Sequence, residues 1–266
     1  MLILLHNQNN TRGGVMEIIA ARNFNLAYII LDSIFLLVFA GLLIYKKRRL
    51  TLLWGLFGGI LYFAVDYGIF HLLTHSRSIT GGSMFWVLLW MSMSYGFTNF
   101  AWIWLALKRD EYLKEWSFLI FVWWLSCPIL SRTIPSAQIH IERTTGAYHG
   151  IMGAILFVSY LAAIIYNFTQ SDKSTRFNIL WLFIIGVLAQ FGWEFALLVG
   201  GIRSDGFTVE QKLITLFVNS LIETNLGLPA IYLIYLAVTS KIKEDLSEEN
   251  KTIKERLREN NSQKFV

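Results

Sequence analysis

The chain has 266 residues, 55% of them hydrophobic and 15% charged, against roughly 25% charged in average soluble domains. That excludes an ordinary soluble domain, and the chain is far too apolar to be disordered. The single cysteine, Cys127, excludes an intrachain disulfide framework and a Cys-based zinc site. The formal charge of +5, from 23 basic and 18 acidic residues, reads as membrane topology rather than nucleic-acid affinity in so apolar a chain.

Residues 1–24 read as an extracytoplasmic segment without a signal peptide, since no basic region precedes the short apolar run. Residues 1–15 are expected to be untranslated leader ahead of a start at Met16, because Arg12-Gly13-Gly14 is what a purine-rich ribosome-binding sequence would encode. A spanning helix needs about 20 mainly apolar residues. Seven stretches qualify, at 26–45, 50–74, 84–107, 116–135, 147–168, 177–201 and 211–239.

Basic residues cluster at alternate ends of these stretches. One set comprises Lys46, Lys47, Arg48, Arg49, Lys108, Arg109, Lys114, Lys173, Arg176, Lys241 and Lys243; the other comprises Arg22, Arg77, Arg132, Arg143, Arg203 and Lys212. The positive-inside rule then puts the N-terminus outside and the C-terminus inside. The expected organisation is an all-α, seven-helix membrane domain over 25–240 and a charged cytoplasmic tail over 241–266, in a bacterial cytoplasmic membrane. The tail alternates charge at helical spacing, as a solvated helix does.

An internal repeat runs through the chain. Leu53-Trp54 matches Leu180-Trp181, Phe63-x-x-Asp66-Tyr67 matches Phe191-x-x-Glu194-Phe195, and Thr98-Asn99 matches Thr224-Asn225. Ala27-Tyr28 and Ile44-Tyr45 likewise match Ala147-Tyr148 and Ile165-Tyr166. These offsets, near 120 and then 126 to 128, indicate a 3+1+3 plan: repeat 1 over 26–107, a linker helix over 116–135, and repeat 2 over 147–239. Such duplicated folds tend to hold their sites at the repeat interface.

Four carboxylates fall inside apolar stretches: Asp32, Asp66, Glu194 and Glu223. No Lys or Arg lies deep in any stretch beside them, so they are expected to be un-neutralised and functional, with Asp66 and Glu194 as catalytic acids. Asn99, Asn219 and Asn225 would donate hydrogen bonds to them or to a ligand, and Trp193 adjoins Glu194; with Asp32 and Glu223 they make the expected pocket. The bland alternative is that these polar groups clamp helices together. His71 and His75 at i, i+4 are a weak metal signal, and no metal or cofactor is assigned. Trp54, Trp116 and Trp181 read as interfacial anchors, the other tryptophans as lipid-facing or packing residues, and Cys127-Pro128 as a kink. Arg132, Glu142 and Arg143 read as a solvated outer loop.

Phe191-Gly192-Trp193-Glu194-Phe195, with Asn225 about thirty residues on, resembles transmembrane terpene cyclases of the meroterpenoid type, small seven-helix proteins with a Trp-Glu pair on one helix and a second acid on another. The resemblance covers about a quarter of the chain, and that family carries its Trp-Glu on an early helix. It implies that Glu194 and Asp66 protonate a prenyl chain. Three readings stay open. One is an acid/base enzyme, of cyclase or isomerase type, acting on a lipophilic isoprenoid-type substrate, favoured by unbroken helices. The second is a small-solute or proton-coupled carrier of the 3+1+3 type. The third is a non-catalytic sensor or assembly protein. The expected partners are the lipid bilayer and a lipophilic or small-molecule ligand, not nucleic acid. Under the first reading, neutralising Asp66 or Glu194 is expected to abolish turnover and leave the fold intact.

Overall fold

The computed structural model describes residues 20–143, 148–171, 176–203 and 208–241; the Met16 start, Lys173, Lys243 and nearly all of the tail lie outside the described residues. Six helices are long and apolar enough to cross a membrane: Leu26–Tyr45, Arg49–Leu73, Leu113–Arg132, His149–Thr169, Ile179–Val199 and Val209–Ser240. The chain is therefore a helical, multi-pass integral membrane protein. Much of its apolar surface faces outward. His149–Thr169 buries only Ala163, as a helix bathed in lipid does.

In chain order, β1 (Ala20–Asn25) leads into α1 (Leu26–Tyr45), and α2 (Arg49–Phe63) continues into a π-helical segment over Ala64–Leu73. A short strand β2 (Arg77–Thr80) follows. The next helical run is α3 (Met84–Ser92), a π-helical turn over Met93–Phe97, and α4 (Thr98–Leu107). This run is not among the six apolar spans. It carries Ser92, Ser94, Thr98 and Asn99, and its neighbours enclose it, so every residue of α4 but Trp102 is buried.

The second half comprises α5 (Leu113–Arg132), β3 (Gln138–Arg143), α6 (His149–Thr169) and α7 (Ile179–Val199). It ends with α8 (Val209–Ile222), a single 3-10 turn over Asn225–Gly227, and α9 (Leu228–Lys241). The expectation of unbroken helices fails here: the last stretch is interrupted at Glu223–Gly227. Pro229 is a physical reason, since it has no N–H to offer the carbonyl four residues back and suits only the first turn of a new helix.

The helix starts are written locally. Asn25 Oδ1 accepts from the Tyr28 N–H at the start of α1, Asn178 Oδ1 accepts from Trp181 N–H at the start of α7, and Thr208 with Gln211 forms a capping box on α8. Asn25 also donates to the Ser131 carbonyl at 2.8 Å, tying β1 to the end of α5. The central helices pack through glycines: a Cβ at Gly58 would overlap the Phe100 ring, and one at Gly55 would press on Phe97.

The all-α expectation needs one amendment. The strands pair antiparallel in the order β1-β3-β2 and cap one end of the helices. Arg22 stands opposite Ile141, and Arg77 opposite Arg143. Arg203, just after α7, adds a bridge to Arg22 on the outer edge of β1. These segments are too short and too mixed in composition to signal strands on their own.

Ion pairs also hold the far end. Arg48 Nε bonds Asp110 at 2.7 Å and its Nη2 bonds Glu111 at 3.0 Å, while Lys108 Nζ lies 3.2 Å from Asp110. The Trp116 indole N–H donates to Asp110 at 3.3 Å. Trp54 and Trp116 are therefore buried core residues, not interfacial anchors. Burial alone would raise the Asp110 pKa, but Lys108, Arg48 and the Tyr112 N–H outweigh it and hold the carboxyl below its ordinary range. Stability from such a group is present above its unfolded pKa near 4 and is lost as pH falls through the folded value. Asp110→Asn is therefore expected to lower the thermal midpoint by several degrees at pH 7, with the gap to wild type closing below about pH 4, as read by unfolding in detergent across that pH range.

Candidate functional site

The sheet brings four arginines down onto the helix ends. Arg22, Arg77, Arg143 and Arg203 are all buried, as are Asp66 and Glu194. This overturns the expectation that the carboxylates stand without cationic neighbours. The cations come from the connecting segments, not from the apolar stretches.

Asp66 lies in the first turn of the π-helical segment after α2. Its Oδ1 accepts from Arg77 Nε at 3.1 Å, Arg77 Nη2 at 2.8 Å and Arg143 Nη2 at 3.3 Å. Arg77 and Arg143 stand directly opposite each other on β2 and β3, a juxtaposition that like charges disfavour; Asp66 between them compensates. Arg143, expected in a solvated loop, is instead 6% exposed. Burial would lower its pKa, but Asp66, Tyr95, Glu223 and Glu194 together raise it.

Glu194, on α7, pairs with Arg203 Nη1. In the amide orientation that satisfies both groups, Asn219 Oδ1 on α8 accepts from Arg203 Nη2 at 2.8 Å. Gln190, one turn before Glu194, joins the next carboxyl: its Nε2 donates to Glu223 at 2.7 Å and reaches Glu194 at 3.4 Å, and its Oε1 accepts from Thr224 at 2.8 Å. Glu223 and Thr224 sit in the break between α8 and the 3-10 turn. In the same break Asn225 Oδ1 accepts from the Tyr160 hydroxyl at 2.8 Å, and its side chain fills the space left by Gly186.

Arg22 is the least compensated of the four cations. Its Nη1 points at the Met91 sulfur at 3.0 Å, and its guanidinium carbon lies 6.0 Å from the Trp193 ring. Burial, then Arg143 and Arg203, lower its pKa to about 9 despite Glu194. Burial, then Arg143, likewise lowers Arg77 to about 10, with Asp66 opposing. Counting ionised forms, four guanidiniums face three carboxylates, Asp66, Glu194 and Glu223.

Two expected pocket residues lie apart from this network. Asp32 on α1 accepts from the Trp90 indole N–H at 3.0 Å, with no arginine bonded to it among the described residues. Asn99 on α4 lines a separate cleft whose lining includes none of the carboxylates. Trp193 itself stacks on Tyr95 at 5.7 Å and meets Trp124, a residue of the cleft wall, edge-on at 5.2 Å. His71 and His75 do not form an i, i+4 pair: the π-helical winding ends between them, and His75 has a left-handed backbone with φ 51°. Arg132 donates to the Gly200 carbonyl after α7 and serves the loop.

Sequence reasoning missed Gln190 and the four arginines. Gln190 was readable as the i−4 neighbour of Glu194 on a helix. The arginines recur after each acid, Arg77 and Arg203 following Asp66 and Glu194, but nothing in the spacing shows that β pairing returns them inward. In comparison with known proteins, no family model, no curated protein and no solved structure matches this chain.

The pairing changes what neutralising an acid does. Glu194→Gln strands the buried Arg203, and breaking one side of such a pair costs about 3–5 kcal/mol. The variant is expected to lose stability on that scale in detergent unfolding, with partial recovery when Arg203→Met is added, in place of the intact fold that the sequence suggests.

Proposed function

We propose that the chain is a membrane-embedded acid/base enzyme acting on a lipophilic substrate of isoprenoid type, in line with its resemblance to transmembrane terpene cyclases. The observation that carries this reading is the Glu194–Gln190–Glu223 arrangement. Two carboxyls share one amide donor; Glu194 holds an arginine, whereas Glu223 bonds to the neutral Gln190 alone among the described residues. Glu223 is thus free to give and take a proton, with Glu194 fixed beside it. The double arginine clamp on Asp66 favours Glu223 over Asp66 as the proton-exchanging group and casts Asp66 as the electrostatic anchor.

The 3+1+3 duplication belongs to this proposal. In support, the sheet edge at Arg203, then β1, β3 and β2 follow a two-fold pattern, in which β1 precedes α1 as β3 precedes α6. Asp66 and Glu194, Arg77 and Arg203, and Arg22 and Arg143 then occupy equivalent places. The run over 84–107 is the seventh span. The N-out, C-in orientation gains support too, because four of the six basic residues at the sheet end are buried in the network and leave that face poor in free positive charge. A bacterial cytoplasmic membrane fits this reading.

A carrier is the second reading, and the helix break at Glu223–Gly227 favours it, since transporters hold solutes at interrupted helices. The test presents purified protein in lipid nanodiscs with prenyl alcohols and prenyl epoxides and follows products by mass spectrometry. Wild type is expected to form cyclised or isomerised product. Glu223→Gln is expected to lose at least about 100-fold in rate while keeping its thermal midpoint. Undiminished turnover by Glu223→Gln overturns the assignment. Absence of product, with a pH-driven solute flux in proteoliposomes, establishes the carrier instead.

A further inference from the structure

A cleft of about 270 Å³ lies between α4, α5 and α7, away from the carboxylates. Phe121 and Leu188 are exposed at its rim, whereas Asn99, Ile120, Trp124 and Ala189 are buried at its floor, so it opens sideways where a bilayer would lie. Gly192 lies on its wall: a Cβ there would make only ordinary van der Waals contact with Trp124 at 3.4 Å, whereas a longer side chain would project into the space. An apolar cavity of about 150 Å³ holds a benzene, so this one has room for about two fused rings.

Its polar equipment is sparse and unevenly used. Ser117 Oγ accepts from the Trp102 indole N–H and donates to the Leu113 carbonyl, both at 2.7 Å. Asn99, 1% exposed, is different: neither its amide nitrogen nor its oxygen has a partner among the described residues, and the Trp124 indole N–H is also unpartnered. Buried amides are almost always hydrogen-bonded, and a cleft lined by rings with one open amide has the make-up of a small-molecule site. An acyl chain would fill the volume but leave Asn99 unmet.

We infer that this cleft binds an uncharged, lipophilic ring compound bearing a hydroxyl or carbonyl, whose oxygen bonds the Asn99 amide. The amide serves either substituent, since its nitrogen donates to a carbonyl and its oxygen accepts from a hydroxyl. The inference goes beyond the acid/base reading and does not need it, because its test reads binding and not turnover.

The test uses the whole chain in lipid nanodiscs and two probes, bromonaphthol and bromonaphthalene, which quench tryptophan emission when bound beside Trp102 and Trp124. Bromonaphthol is expected to quench saturably, with an affinity about tenfold above that of bromonaphthalene. Asn99→Leu should erase that difference, and Gly192→Leu should abolish saturable quenching by both probes, whereas Gly192→Ala binds as wild type or slightly weaker. Equal affinity of the two probes for wild type overturns the inference and marks the cleft as a seat for acyl chains. An undiminished preference in Asn99→Leu overturns the assignment of Asn99. The wild-type contrast decides the chemistry even if a variant fails to fold.

Discussion

Asp66 accepts from two arginines that stand face to face across the β2–β3 ladder, one from each half of the chain. The cap of the molecule depends on that arrangement. Removing a guanidinium from water costs several kcal/mol, and two side by side repel. Only a carboxylate at the point where they converge lets the strands close over the helix ends. Glu194 and Arg203 repeat the solution on the other side, with Arg22 beside them. The network thus joins elements distant in the chain: β1, the π-helical segment after α2, β2, β3, α7 and the segment after it.

The helical irregularities gather at the same level. The π-helical segment after α2 begins just before Asp66, and the last stretch breaks at Glu223, Thr224 and Asn225. π-helical turns and interruptions expose backbone groups that regular helices satisfy, and they persist where side chains or neighbouring helices meet those needs. Here the polar residues of the site surround them. Trp193, beside Glu194 in sequence, packs between Tyr95 and Trp124, and Trp124 in turn lines the apolar cleft.

The membrane class and most helix limits were legible, because 20-residue apolar runs ended by Lys46–Arg49 or Lys108-Arg109 leave little choice. Asp66, Glu194, Asn219 and Glu223 were legible as polar groups in apolar stretches, and the structure does bring them into one region or network. Their partners were not. Arg77 and Arg143 lie far from a spanning context in sequence, and only the β register turns them inward; strands of four and six residues carry too little periodicity to announce it. Asp32 and Asn99 met the same criterion of a polar group in an apolar run, yet one bonds a tryptophan and the other faces a separate cleft. Depth along a helix says nothing of azimuth when the helix is apolar all round.

The central claim is that Asp66 and Arg143 bind the two halves together through a buried ionic contact. A double-mutant cycle with Asp66→Asn, Arg143→Met and the pair, read by unfolding in detergent, tests it most directly. A coupling energy of about 1.5 kcal/mol or more is the predicted result, with the double variant more stable than the sum of the singles implies. Additivity within about 0.5 kcal/mol would contradict it.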